Sequence, residues 1–360
     1  MADYSPLLTA YDGPGTASPK PPRVASLDVF RGLCVFLMML VDYGGSILPI
    51  IAHSPWNGLH LADFVMPFFL FIAGVSLALV YKRVTNRVEA TWKAVFKAVK
   101  LFLLGVLLQG GYFHGVASLT YGVDIERIRW FGILQRIAIG YIAAALCEIW
   151  LSRQTLGEVG FFRTYYWHWC VIFSLSAIYA GLLYGLYVPD WEFKASTPSS
   201  LPPSNATTTY VVKCSVRGDL GPACNSARMI DRYILGFDHL YLKPVYRNLK
   251  ECNVSADGRV PESSPSWCHT PFDPEGILSS LTAAVTCIIG LQYGHILAHI
   301  QVDVYGYRCM TYVLEWMGIH SLTIFVVVTS NLAVIAIQGF YLADPQNNIV
   351  HWIITRFVHN

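Results

Sequence analysis

Leu61-Ala62-Asp63-Phe64-Val65-Met66-Pro67-Phe68-Phe69-Leu70-Phe71-Ile72-Ala73-Gly74-Val75-Ser76-Leu77-Ala78-Leu79-Val80-Tyr81 runs for 21 residues with a single charge, Asp63, near its start. About 20 apolar residues in helical conformation cross the roughly 30 Å hydrocarbon core of a bilayer. The next stretch carries Lys82, Arg83, Arg87, Lys93, Lys97 and Lys100 against one acid, Glu89. Short basic loops stay on the cytosolic side, so this span is read as ending in the cytosol. Helices are the expected unit of the fold, because a backbone crossing lipid must satisfy its own N–H and C=O groups.

Working outward, comparable runs occur at 33–52, 95–113, 131–151, 168–188, 277–300 and 321–341. The run at 95–113 is the weakest, with Lys97 and Lys100 in its first turns; both could snorkel to the headgroups. The chain has 360 residues, 54% hydrophobic and 13% charged, where a soluble domain carries about 25% charge. Its mean hydropathy is +0.45. These values make lipid a solvent for much of the chain, and a net charge of +2 gives no reason to expect nucleic acid. The expectation is an all-α membrane protein: a polytopic transmembrane helix bundle of about seven spans with a disulfide-containing luminal loop. Residues 1–22 are polar and rich in Pro and Gly, without the apolar core of a cleavable signal. The first apolar run is therefore expected to serve as the insertion signal.

This divides the chain into a cytosolic tail at 1–32, spans one to five within 33–188, a luminal loop at 189–276, spans six and seven within 277–341, and a tail at 342–360. Alternation puts the loops 53–60 and 114–130 on the luminal side, and 153–166 and 301–320 in the cytosol. Within the luminal loop, Asn205-Ala206-Thr207 and Asn253-Val254-Ser255 are N-glycosylation acceptors. Cys214, Cys224, Cys252 and Cys268 there suggest two disulfides in an oxidising compartment. Spacing does not decide their pairing; neighbour pairing, 214 with 224 and 252 with 268, is the working expectation. Cys34, Cys147, Cys170, Cys287 and Cys309 lie in or near spans and read as packing residues, and no metal is expected. Asp3-Tyr4-Ser5-Pro6-Leu7-Leu8 matches an acidic dileucine sorting signal, which directs membrane proteins to lysosomes or vacuoles, although so short a pattern also arises by chance.

Ionisable residues in or beside spans are costly and point to function. Asp28 and Arg31 are three apart on one helix face and could simply pair. Asp42 falls within the first run, where a carboxylate needs a partner, a proton or water. His53 would be an ordinary surface histidine but for Asp63, ten residues on and across a short turn. Trp56-Asn57-Gly58 suits that turn. Arg136, after Gln135, sits in the fourth run, while Asp273 and Glu275 precede the sixth and Glu315 the seventh. A histidine beside a carboxylate is a candidate general base or nucleophile. From the residues alone the reading is a membrane transferase or a transporter with a luminal histidine. Trp191, Tyr210, Tyr233, Tyr241 and Trp267 could stack on sugar rings or form the small core of a disulfide-bonded cap.

Several strings in one order are more specific: Ser26-Leu27-Asp28-Val29-Phe30-Arg31-Gly32, Asp42-Tyr43-Gly44-Gly45, His53-Ser54-Pro55-Trp56-Asn57-Gly58-Leu59, Leu61-Ala62-Asp63-Phe64-Val65-Met66-Pro67 and Gly132-Ile133-Leu134-Gln135-Arg136. Ile230-Asp231-Arg232, Asp238-His239-Leu240-Tyr241 and Phe272-Asp273-Pro274-Glu275-Gly276 follow. The chain resembles the heparan-α-glucosaminide N-acetyltransferase family and its plant-type relatives. The resemblance implies that acetyl-CoA binds from the cytosol and that its acetyl group passes to a luminal amino sugar or glycan. It implies His53 as the catalytic histidine with Asp63 beside it, and leaves open whether His53 is acetylated or acts as a base. Arg129, Gln135 and Arg136 fall in the family's R-x-x-G-x-L-Q-R string and, with Asp42, are expected at the coenzyme A phosphates or the pocket wall. Trp56, Asn57, Asp231, Asp238 and His239 are the expected substrate-binding residues. A lysosomal or vacuolar membrane and a homodimer fit the same resemblance.

Three departures stand out. Asp42 occupies a position where the family usually has Asn. Met317-Gly318-Ile319-His320 ends in His where Asn is usual. Gly294-His295-Ile296-Leu297 and Val302-Asp303-Val304-Tyr305-Gly306 lie almost back to back, where full-length relatives carry further spans. The chain therefore reads as an internally shortened form, and the alternative is a non-catalytic membrane protein or small-molecule transporter.

Overall fold

The structure, a computed structural model, describes residues 25–45, 50–81, 86–109, 128–152, 165–196, 207–241, 244–252, 260–261, 263–299 and 308–329. The acceptor asparagines Asn205 and Asn253, the dileucine string, and residues 330–360 lie outside the described residues. Helices dominate: α1 (Ala25–Gly44), α2 (Leu61–Val80), α3 (Arg87–Gln109), α4 (Ile133–Leu146), α5 (Tyr166–Gly185), α6 (Ser226–Leu235), α7 (Ile277–His299), α8 (Arg308–Ile319) and α9 (Ser321–Thr329). A π-helical turn, Cys147–Leu151, continues α4. Strands β1 (Trp191–Ser196) and β2 (Thr207–Val212) form an antiparallel pair with Trp191 opposite Val212 and Ser196 opposite Thr207.

Four helical segments are long and apolar enough to cross a membrane: Leu61–Val80, Ile133–Leu151, Tyr166–Gly185 and Ile277–Leu297. A fifth arises if α8 and α9, bent by 74° at their junction, count as one broken span. The expected seven is thus not confirmed among the described residues; parts of the runs 33–52, 95–113 and 321–341 lie outside them, and other reasons are identifiable. The first helix starts at Ala25, not residue 33, and holds three charges, Asp28, Arg31 and Asp42. It can start early because the Arg31 guanidinium donates to Asp28 Oδ1 at 2.8 Å and to Ser76 Oγ at 3.0 Å, which compensates the charge within the helix pair. The third helix begins at Arg87, so Lys97 and Lys100 fall in its middle. Their ammonium groups lie over the rings of Tyr141 and Phe96, 4.8 and 4.3 Å from the centroids. Much of the 301–320 stretch, expected as a cytosolic loop, is the packed helix α8.

Small residues set the helix crossings. A Cβ on Gly32 would collide with the Leu314 carbonyl, and one on Gly318 with the Asp28 carbonyl. Asp28 thus opposes Gly318 and Gly32 opposes Leu314, so α8 runs antiparallel to α1. Gly74 meets Cys287, while Gly290 meets Phe71 and Gly294 meets Val75, so α2 and α7 run parallel. Such contacts bring backbones together where lipid gives no hydrophobic drive for helix association. The core between α2, α3, α4 and α7 follows the same rule, with Ala78, Ala94, Ala98, Ala144 and Ala145 buried beside Ile288 and Leu291. One buried polar tie crosses it: His295 and Glu148, on α7 and the π turn, approach to 2.8 Å.

The segment between α5 and α7 folds as a cap. Its disulfides are Cys214–Cys224 and Cys252–Cys268, the neighbour pairing, each with 5.6 Å between Cα atoms. Each lies in a small buried cluster, the first with Val188 and Val212, the second with Tyr246. Trp191 and Trp267 pack against these clusters, whereas Tyr233 is 90% exposed. Arg228 is fully buried and ties the cap together, donating to the Tyr246 hydroxyl at 3.2 Å and to Pro271 O at 3.3 Å, and to Pro222 O and Thr270 Oγ1. The α1–α2 turn docks under this cap: Trp56 Nε1 donates to Leu220 O at 2.9 Å, and its ring meets Phe272 edge-on at 5.5 Å. The cap and the α1–α2 turn therefore share one end of the bundle.

Candidate active site

Asp63 is the third residue of α2, and its carboxylate turns back over the helix start. Oδ2 accepts from the backbone N–H of His60 at 2.9 Å and of Ser54 at 3.3 Å. A carboxylate here is favoured because the first N–H groups of a helix have no partner within it. Oδ1 lies 2.8 Å from His53 Nδ1. An ionised carboxylate only accepts, so Nδ1 carries a proton, and in the neutral form of the ring Nε2 keeps its lone pair. The turn between them is held by Ser54 Oγ, which donates to Asn57 O at 2.8 Å, and by Gly58 at φ 106°, a left-handed angle that suits glycine. His60 Nδ1 donates to Ala52 O at 3.0 Å and so ties the start of α2 to the beginning of the turn.

A cavity of about 540 Å³ opens beside this pair. Apolar side chains of α1, α2, α3 and α4 make most of its wall, and α9 adds Ser321, Leu322 and Phe325. Its charged or imidazole-bearing lining residues are Arg31, Asp42, His53 and Glu275. Arg31 and Asp42 are 11 residues apart on α1, about 16 Å along the axis. The cavity thus extends from the His53 end, under the cap, toward the opposite end of the bundle, where Arg31 sits.

At the cap end the Arg129 guanidinium binds both oxygens of Asp273, at 2.8 and 2.6 Å, and also Glu275 Oε2. The two carboxylates hold the Arg129 pKa above its ordinary value against the opposing effect of burial. Its charge is thus matched inside the protein, at the His53 end. Arg136, one turn into α4, is near Glu275 and Asp273, and its Nε has no hydrogen-bond partner among the described residues. Gln135 is fully buried against Gly105, with no partner for its amide among the described residues. Neither Gln135 nor Arg136 lines the cavity.

The remaining candidates divide similarly. His53, Asp63 and Asp42 meet at the cavity end. The Trp56 indole is engaged with the cap, and Asn57 contributes its carbonyl to the turn. Asp231 is buried at the seam between cap and bundle, where Oδ1 accepts from Ile277 N at 2.9 Å and so caps α7. Burial, with Asp273 nearby, raises its pKa to about 7. His239 Nδ1 donates to Ile128 O at 2.7 Å, its ring lies near Trp130, and the adjacent Asp238 is exposed. Arg31 and Glu275 are the charged lining residues that the sequence reading left off its site list. Both were visible as charges at span ends, but nothing local shows that they face one cavity.

A carboxylate-oriented imidazole at one end of a cavity within a helix bundle is an arrangement suited to proton or group transfer. Comparison with known proteins narrows this. The family model for heparan-alpha-glucosaminide N-acetyltransferase, catalytic, matches residues 23–179. The heparan-alpha-glucosaminide N-acetyltransferase of Homo sapiens is 29% identical over 299 residues, covering 78% of this chain and 39% of that protein. Its Mus musculus counterpart is 30% identical over 314 residues, 82% of this chain and 42% of that protein. The chain belongs to the heparan-alpha-glucosaminide N-acetyltransferase family, and spans about two-fifths of the length of these relatives.

Proposed function

We propose that this chain is a transmembrane acetyltransferase, moving the acetyl group of cytosolic acetyl-CoA to the amine of a luminal amino sugar. The observation that carries this is the 2.8 Å His53–Asp63 contact at one end of a cavity whose far end holds Arg31. The basic stretch after α2 puts the Arg31 end in the cytosol. The cap, with its two disulfides, then faces an oxidising lumen. A lysosomal or vacuolar membrane is the compartment that the family suggests.

In this reading the thioester carbonyl lies before His53 Nε2, with Asp63 holding the tautomer and stabilising the imidazolium that forms. The acceptor nitrogen attacks the carbonyl while Nε2 takes a proton from it; the C–S bond breaks, and the thiolate recovers that proton. The same free Nε2 also suits a two-step route in which the imidazole carries the acetyl group first. Arg31 offers a guanidinium for donor phosphate at the cytosolic end, where a phosphate from that side would arrive. Asp42, Gln135, Arg129 and Arg136 belong to the wall of this site and its support. Trp56, Asn57, Asp231, Asp238 and His239 shape its luminal approach.

Incubating the purified chain with acetyl-CoA and a panel of amino sugars tests the reading. The expected result is an N-acetylated sugar and free coenzyme A in equal amounts. No acetylated product from any sugar, with the protein folded, would reject it.

A further inference from the structure

The charged lining residues of the cavity divide between its two ends. Among the described residues Arg31, paired with Asp28, is the charged lining residue at one end, and Asp42, Glu275 and His53 are at the other. Glu275 Oε2 is engaged by Arg129, but Oε1 has no hydrogen bond among the described residues. Arg129 already binds both oxygens of Asp273, so Glu275 is a second carboxylate on one guanidinium. Asp42 likewise has no hydrogen-bonding partner among the described residues. Around this end the four carboxylates Asp42, Asp63, Asp273 and Glu275 outnumber the two guanidinium groups, Arg129 and Arg136. The imbalance leaves room for a cation.

We propose that Glu275, with Asp42, holds the protonated amine of the acceptor and so selects cationic acceptors over neutral ones at the His53 end of the cavity. This rests on the transfer reading, because it assigns the ammonium of the acceptor to that end. A primary ammonium has three donors, which suits two carboxylates with free oxygens, and charge-assisted hydrogen bonds are the strong ones. Before attack the ammonium must lose one proton, which passes to Glu275 and on to luminal water. The second proton leaves through His53 Nε2 as the nitrogen–carbonyl bond forms, and ends on the departing thiolate. Glu275 also stays tied to Arg129, so the same carboxylate joins the cavity to the start of α7.

Equilibrium binding to the full chain in lipid nanodiscs, without acetyl-CoA, tests this with two probes of one shape: glucosamine, which is cationic below neutral pH, and glucose, which is not. The wild type is expected to prefer glucosamine by about tenfold or more, as one charged hydrogen bond provides. Glu275→Gln is expected to abolish most of that preference while leaving glucose binding unchanged. Asp42→Asn, which leaves the Arg129 ion pairs intact, is expected to reduce it. Equal affinity for the two sugars in the wild type, or no glucosamine binding, overturns the proposal whether or not a variant folds. A preference that survives in Glu275→Gln overturns it as well. Because the assay omits the donor, a chain that discriminates the probes but transfers no acetyl group would reject the enzyme reading alone. A chain that transfers acetyl without discriminating would reject only this one.

Discussion

His53 Nδ1 and Asp63 Oδ1 stand 2.8 Å apart, and the same carboxylate accepts two backbone N–H groups from the turn that separates the two residues. The pair is thus built by the turn and the helix start together. Asp63→Asn keeps the side-chain shape but presents an amide that can donate to Nδ1, which favours the wrong tautomer. Acetyl transfer is expected to fall by about 10²- to 10⁴-fold, the range such an orienting acid supplies. Steady-state kinetics beside an unchanged melting temperature would check this; an unaltered turnover number would show that Asp63 does not orient His53.

Gly32 and Gly318 let α1 and α8 touch backbone to backbone. Gly318→Val is expected to push α8 off α1, open the wall to which α9 contributes, and lower the melting temperature by several degrees, as an overpacked contact costs about 1–3 kcal/mol. Thermal unfolding followed by intrinsic fluorescence gives the answer. A melting temperature equal to wild type would mean that α8 does not pack there.

The first of these relationships was legible in the sequence and the second was not. Asp63 lies ten residues from His53 across a turn marked by Gly58, so local chain geometry forces the encounter. The same locality made the neighbour pairing of the cap cysteines a good expectation. Asp28 and Arg31 were recognisable as a pair, yet their charges also masked the true start of α1, because a hydropathy window counts each charge and cannot count their mutual compensation. α8 was missed for a similar reason: Arg308 and Glu315 depress its apolar character, while its contact with Gly32 is far away in the chain. Glu275 read only as an acid before a span, and its place in the cavity depends on the association of α1, α2, α4, α7 and α9.

Asp231 gives the cap seam a pH dependence. Its folded pKa, about 7, is raised from 3.8, so the proton binds more tightly in the folded state. The stabilisation is complete below pH 3.8 and is lost as the pH rises through about 7, above which it levels off. The melting temperature is expected to fall across that window, and Asp231→Asn to flatten this part of the curve. Scanning fluorimetry of both proteins from pH 4.5 to 8.5 measures it. Parallel curves for wild type and variant would exclude Asp231 as the source.

The disulfide Cys252–Cys268 sits beside Tyr246 in the cluster against which Trp56 packs. Replacing both cysteines with Ser is expected to destabilise the cap by about 2–4 kcal/mol. It should also raise the acceptor KM more than it lowers kcat, because the His53 turn is docked to the cap through Trp56. Kinetics on the double variant decide this, and an acceptor KM equal to wild type would separate the cap from the site.

Vesicles reconstituted with the chain, carrying glucosamine inside and supplied with radiolabelled acetyl-CoA outside, provide the most direct trial. Only molecules whose basic α2–α3 side faces outward would be supplied with donor. The account predicts labelled N-acetylglucosamine trapped in the lumen with wild type, and none above background with a folded His53→Ala variant. Equal luminal label in the two proteins, or label that stays outside with wild type, would contradict it.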